Sequence, residues 1–160
     1  YGVAKWIEYV INNQLYLDHD LLRESKIDID EMADFIAHYL AEIEGVQFVY
    51  TASEIKLTAW SDNDIKGKMA RGHNIKRSGD VMYEFYPGWL KTQTDDATTH
   101  GSGYSYDTHV PMLWYGNGIK KGESVRKHNI TDIAPTLSML LNISLPSGAI
   151  GEPLYELFDH

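Results

Sequence analysis

His100 sits among small residues: Thr99 precedes it, and Gly101 and Ser102 follow. Such neighbours let the backbone fold tightly and leave an imidazole accessible, and a neutral imidazole binds Zn²⁺ at about 2.0–2.1 Å. His109 lies two residues after Asp107 and directly before an apolar run, 110–115. A nearby carboxylate can orient a histidine ring and fix its tautomer. Spacing alone leaves both residues open. A loop histidine is more often a surface residue than a ligand, and His109 reads more readily as a hydrogen-bonded histidine at a strand edge. Asp95 and Asp96 could also bind metal, but an Asp pair in a polar loop is usually solvated.

The other histidines are weaker candidates. His38 falls on the polar side of a helical stretch, His19, His73 and His128 have charged or polar neighbours, and His160 is terminal. Arg77-Ser78-Gly79-Asp80 reads as a turn entering a strand; Arg77 could touch a phosphate, although structural pairing is the commoner role. No Gly-x-Gly-x-x-Gly, P-loop, His-Glu-x-x-His or Gly-x-Ser-x-Gly occurs, so nucleotide cradles, zincin sites and serine-hydrolase elbows are not indicated.

Composition narrows the chemistry further. There is no cysteine, which excludes thiolate zinc sites, disulfides and thiol nucleophiles and leaves His and carboxylates as metal ligands. The net charge is −9, from 14 Lys and Arg against 23 Asp and Glu. That balance argues against nucleic acid as a partner; a small phosphorylated substrate remains compatible with it, because a metal can supply the positive charge locally. No run of 18 apolar residues occurs, so no membrane span is expected. The 160 residues are 43% hydrophobic with 11 Tyr and 4 Trp, enough for a core and about one domain. A start at Tyr1 rather than at methionine leads to the expectation of a mature fragment or a designed piece. No signal peptide is visible, which in such a chain says nothing about export.

The elements that must position these residues follow from patterning. Residues 5–22 read as two short strands around Asn12-Asn13, since Asn tolerates the left-handed positions of a tight turn. Residues 28–44 read as a helix capped by Asp30, with Met32, Phe35, Ile36, Tyr39, Leu40 and Ile43 on one face and Gly45 past its end. Strands are expected at 46–51, 80–86 and 110–115, the last buried, and short helices at 53–57 and 62–71. Residues 93–106 read as a functional loop. Gly116-Asn117-Gly118 turns the chain, and Thr131 caps a helix over 132–141 with Pro135 in its first turn. The pattern is that of a layered α/β or α+β domain.

The segment Thr98-Thr99-His100-Gly101-Ser102-Gly103-Tyr104-Ser105-Tyr106-Asp107-Thr108-His109-Val110-Pro111 resembles the C-terminal metal-binding segment of the alkaline phosphatase superfamily. Within it the type I phosphodiesterase/nucleotide pyrophosphatase branch is the nearest, and the bacterial alkaline phosphatases secreted to the periplasm fit best. Asn12-Asn13-Gln14-Leu15-Tyr16-Leu17 agrees in order, as do Arg77-Ser78-Gly79-Asp80 with Pro87-Gly88-Trp89, and Asn129-Ile130-Thr131-Asp132-Ile133-Ala134-Pro135-Thr136-Leu137. The resemblance thus spans nearly the whole chain.

It implies an α/β fold equivalent to the C-terminal part of an αβα sandwich, with residues 1–160 forming one piece of a larger catalytic domain. It also implies two zinc ions, a Thr or Ser nucleophile, a phospho-enzyme and periplasmic or secreted localisation. His100 takes the position of a zinc ligand; His109, Asp107 and Thr99 are expected to support it. The resemblance implies further ligands in an Asp near the N-terminus, an Asp-x-x-x-His motif and an Asp-His-Gly motif; none of these is expected in this chain, and they are placed upstream with the nucleophile. Asp18-His19-Asp20 is not that last motif. The isolated chain is therefore expected to be inactive, with uncovered sheet edges or apolar faces and a possible homodimer. Rival readings are a phosphodiesterase or nucleotide pyrophosphatase, a sulfatase or metal-dependent mutase of the same superfamily, and a non-catalytic supporting domain.

Overall fold

In a computed structural model of the chain, which describes residues 1–61, 63–91 and 98–158, the first two strands meet at Asn12-Asn13. Strands β1 (Ile7–Ile11) and β2 (Gln14–Leu17) pair antiparallel, and both asparagines hold positive φ, 49° and 57°. Two central residues in that region match the twist of the flanking strands. Strands β3 (Val46–Thr51) and β4 (Val81–Phe85) complete a four-stranded antiparallel sheet in the order β1-β2-β4-β3.

Helices cover both faces of this sheet. Helix α1 (His19–Glu24) is capped by Asp18, and α2 (Ile29–Ala41) by Asp28, whose carboxylate takes the Glu31 amide at 3.0 Å. The cap is thus Asp28 rather than Asp30: Asp28 has extended backbone, whereas Asp30 already lies in the first turn. Of the expected apolar face, Met32 and Ile36 are buried with Ala33, while Phe35, Tyr39 and Ile43 are exposed. Helix α3 (Ala52–Lys56) starts with a reciprocal Thr51–Glu54 cap. Helix α4 (Ile65–Gly72) is capped by Asp64; the earlier start at Asp62 lies outside the described residues.

Alternation along β4 shows the layering. Val81 and Tyr83 join Leu15, Leu17, Leu22, Met32 and Ile36 in one core cluster, whereas Met82 between them joins Ile55 and Ala70 in another. Side chains alternate faces along a strand, so α1 and α2 lie on one side and α3 and α4 on the other. The α/β expectation is met as an αβα arrangement.

The chain divides into two compact units, Tyr1–Val110, which holds this sheet, and Pro111–His160. In the second unit a 3₁₀ turn, Ile130–Asp132, leads into a helix. We number this helix α6 (Ile133–Leu140), because a one-turn helix α5 (Ser105–Thr108) precedes it at the end of the expected loop. Asp132 receives the Asn129 amide at 2.9 Å and the Glu152 amide at 3.1 Å. Thr136, fully buried, donates to the Asp132 carbonyl at 2.6 Å and accepts the Leu154 amide at 3.0 Å.

The buried strand expected at 110–115 does not form. Val110, Leu113 and Tyr115 are exposed, and no backbone group of this run bonds to another described residue. A strand needs a neighbouring ladder, and every strand of the sheet lies between residues 7 and 85.

Candidate functional site

The loop after His100 is fixed by charged side chains from three elements. Asp107, on α5, accepts the Ser102 amide at 2.9 Å and the Ser102 hydroxyl at 2.7 Å through one oxygen. The Ser102 hydroxyl and then its amide hold the Asp107 carboxyl below its ordinary range, with smaller help from the Gly101 amide and the His100 charge. Glu84 on β4 accepts the Gly103 amide at 2.8 Å. Lys68 on α4 donates to the Gly103 carbonyl at 2.7 Å and lies 3.4 Å from the Thr108 hydroxyl. Tyr104 then anchors the chain to the sheet: its hydroxyl donates to the Phe85 carbonyl at 2.7 Å and pairs with the Gln47 side chain.

His100 itself is exposed at the start of this anchored stretch. Gly101 follows at φ 107°, a backbone state that side chains rarely adopt. Thr99 is exposed, its hydroxyl 3.4 Å from the His100 carbonyl. His109 caps the C-terminus of α5, its amide bonded to the Ser105 carbonyl at 2.9 Å, and its side chain is exposed. The structure therefore ties Asp107 to Ser102, two residues after His100, and gives His109 a backbone role in ending α5. Asp95, Asp96 and His160 lie outside the described residues.

An exposed imidazole on a loop of small residues fits one ligand position of a zinc site. Among the described residues no three His, Asp or Glu side chains gather to hold an ion, and the Asp107 oxygen nearest the loop is engaged by Ser102. The described residues offer a single coordination position, that of His100, and do not complete a site. Two stretches have Asp-x-x-x-His spacing, 34–38 and 96–100. In the first, within α2, the His38 ring nitrogen Nδ1 lies 2.7 Å from the Asp34 carbonyl of its own helix; the second begins at Asp96, outside the described residues.

A cleft of about 270 Å³ adjoins the loop, lined among others by Asn12, Lys68, His73, Glu84, Ser102 and Thr108. Both His73 ring nitrogens are buried there without a hydrogen-bond partner among the described residues. Burial, then the Lys56 charge, lowers the His73 pKa below 6.5, so the ring is neutral at neutral pH. Glu84 moves the other way: burial raises it, with a smaller push from Asp107, against the Gly103 and Phe85 amides.

In the Arg77-Ser78-Gly79-Asp80 segment, Asp80 and the Arg77 carbonyl make structural contacts. Asp80 takes the Leu17 amide through one oxygen and meets His19 Nε2 through the other, both at 2.8 Å. The Arg77 carbonyl accepts from the Tyr16 hydroxyl at 3.1 Å. His128 Nε2 lies 2.6 Å from the Glu156 carboxylate. Sequence reasoning overlooked Glu84 and Lys68. A lone acid inside the apolar strand Val81–Phe85 was the available signal for Glu84; nothing local distinguished Lys68.

With this geometry in place, comparison with known proteins gives the class: the chain resembles the C-terminal part of a member of the alkaline phosphatase superfamily. It is 38% identical over 160 residues to alkaline phosphatase PafA of Elizabethkingia meningoseptica, covering 98% of this chain and 29% of that protein. It is 37% identical over 150 residues to alkaline phosphatase PhoV of Synechococcus elongatus, covering 92% and 26%. A protein named calcium-transporting ATPase from Myroides odoratus is 32% identical over 160 residues, covering 99% and 29%. The crystal structure of wild-type PafA superposes with a TM-score of 0.87 at 38% identity, over 97% of this chain and 30% of that one. The chain thus spans under a third of the length of these relatives. No protein-family model matches it.

Proposed function

We propose that this chain is the C-terminal piece of the catalytic domain of a zinc-dependent alkaline phosphatase. The whole protein hydrolyses phosphate monoesters of small molecules through a phospho-threonine or phospho-serine intermediate, and the nucleophile and most metal ligands lie outside this chain. The observation that carries the reading is His100: an exposed imidazole at the start of an anchored loop, in a chain 38% identical to an alkaline phosphatase. His100 would hold one of two zinc ions. Bound zinc supplies positive charge where phosphoryl oxygens become more negative. Asp107 fixes the Ser102 backbone, and the resulting fold of the loop sets where the His100 imidazole stands. By the same family reading the whole protein is periplasmic or secreted. No helix among the described residues is long and apolar enough to cross a membrane.

A second reading keeps a phosphodiester or phosphoanhydride as substrate, as in a phosphodiesterase/nucleotide pyrophosphatase. The relative named calcium-transporting ATPase favours it. Turnover of a phosphate monoester, a phosphodiester and a nucleoside triphosphate by the whole protein with zinc separates the two. His100→Ala is expected to lower the preferred turnover by at least about 100-fold, within the range for losing a group that tunes transition-state charge. Wild-type turnover and zinc affinity in His100→Ala would sink the reading.

A further inference from the structure

Three consecutive peptide groups follow His100, and each is held by a charged side chain. Asp107 takes the Ser102 amide at 2.9 Å, Glu84 the Gly103 amide at 2.8 Å, and Lys68 reaches the Gly103 carbonyl at 2.7 Å. The three side chains come from α5, β4 and α4. Glu84 and Lys68 act on opposite polar groups of one glycine, one accepting and one donating. Gly103 lies close against this pair: a Cβ there would stand 3.3 Å from Ile65 and 3.5 Å from the Glu84 oxygen. Glu84 is buried on a strand of the four-stranded sheet, so its carboxyl group is a fixed reference point. Lys68 sits inside a helix that packs on the same sheet. The arrangement ties the loop to the position of the sheet.

We propose that Lys68 and Glu84 are positioning residues for His100: they clamp Gly103 and so set the imidazole in its ligating place before metal arrives. The inference rests on the reading of His100 as a zinc ligand. A preset ligand loses less conformational freedom on binding than a mobile one, and groups that orient a ligand are worth about 10–100-fold in metal affinity. The two residues thereby act on zinc affinity without touching the ion.

The test uses the whole protein, stripped of metal and titrated with zinc against a chromogenic chelator. Lys68→Met is expected to weaken zinc binding by about 10–100-fold, and to speed hydrogen exchange of the peptide covering residues 98–108. The unfolding temperature of the metal-free protein is expected to stay within a few degrees of wild type, about the effect of a small local change. Lys68→Arg, which keeps a cationic donor, is expected to restore most of the affinity. Zinc affinity in Lys68→Met within about threefold of wild type, well short of that range, overturns the proposal. So does an equal loss in Lys68→Arg, or a loss that only follows a lower unfolding temperature. His100→Ala separates the two levels. If it binds zinc as wild type does, the ligand reading fails and the clamp proposal with it; if it loses zinc while Lys68→Met does not, only the clamp proposal fails.

Discussion

Glu84, 4% exposed on β4, accepts the amide of Gly103 at 2.8 Å, three residues beyond His100. Burial raises its pKa above 4.5, and Asp107 adds to the rise, although the Gly103 and Phe85 amides oppose it. Below the unfolded-state value both states carry the proton and the group contributes nothing. As pH rises, the unfolded chain releases its proton first, so stability falls until the pH passes the folded value, and stays lower above it. Glu84→Gln has the same shape and no titration. The wild type is therefore expected to lose stability relative to Glu84→Gln as pH climbs from 4.5 towards neutrality, measured by urea unfolding of metal-free protein. Parallel pH profiles for the two proteins would contradict this.

Much of that environment was legible in the sequence, and the reasons differ by element. The Asn12-Asn13 turn announced the first hairpin because few residues tolerate its backbone. The strand at 46–51 was marked off by Gly45, which ends the helical pattern before it. The cap of α2 was misplaced because Asp28 and Asp30 are equivalent in type, and only backbone geometry separates them. No strand forms at 110–115, because its apolar pattern reports what the segment can pair with, whereas pairing needs a second strand that no local pattern supplies. Glu84 and Lys68 escaped notice because their importance lies in reaching Gly103, 19 and 35 residues away. Residue type exposed His100; only the fold shows what holds the loop that follows it.

The first hairpin tests the turn argument directly. Asn13 holds φ 57°, where a β-branched side chain crowds the following carbonyl. Asn13→Val is expected to destabilise by about 1–2 kcal/mol, the cost of forcing such a residue left-handed. Asn13→Gly should be tolerated, since glycine reaches that region freely. Chemical denaturation of both variants checks the pair, and equal effects would mean that the turn is not the origin.

Leu22 tests the core beneath the sheet. It is fully buried, in the cluster that holds Leu15, Met32 and Val81. Leu22→Ala removes buried methyl groups and leaves a cavity that neighbours on α1, α2 and the sheet can close only partly. A loss of about 2–5 kcal/mol is expected. A loss under about 1 kcal/mol, the level of a surface change, would show that α1 repacks and is not a fixed part of this layer.

The run at 110–115 has no strand partner among the described residues. Leu113 is 91% and Tyr115 104% exposed, and the backbone between them offers amides and carbonyls that no described residue engages. An exposed apolar stretch with open backbone groups is a template for strand addition. The 160-residue chain is therefore expected to self-associate as its concentration rises, by sedimentation velocity, with a homodimer as the first species. Leu113→Lys with Tyr115→Lys puts like charges on that edge and should shift the chain towards monomer without lowering its unfolding temperature, since neither side chain is buried. Edges β1 and β3 of the sheet are the competing surfaces. Val10→Lys on β1, an exposed position of the sheet edge, is the control. If the β1 variant dissociates the assembly and the double variant does not, association runs through the sheet edge and the 110–115 run plays no part in it.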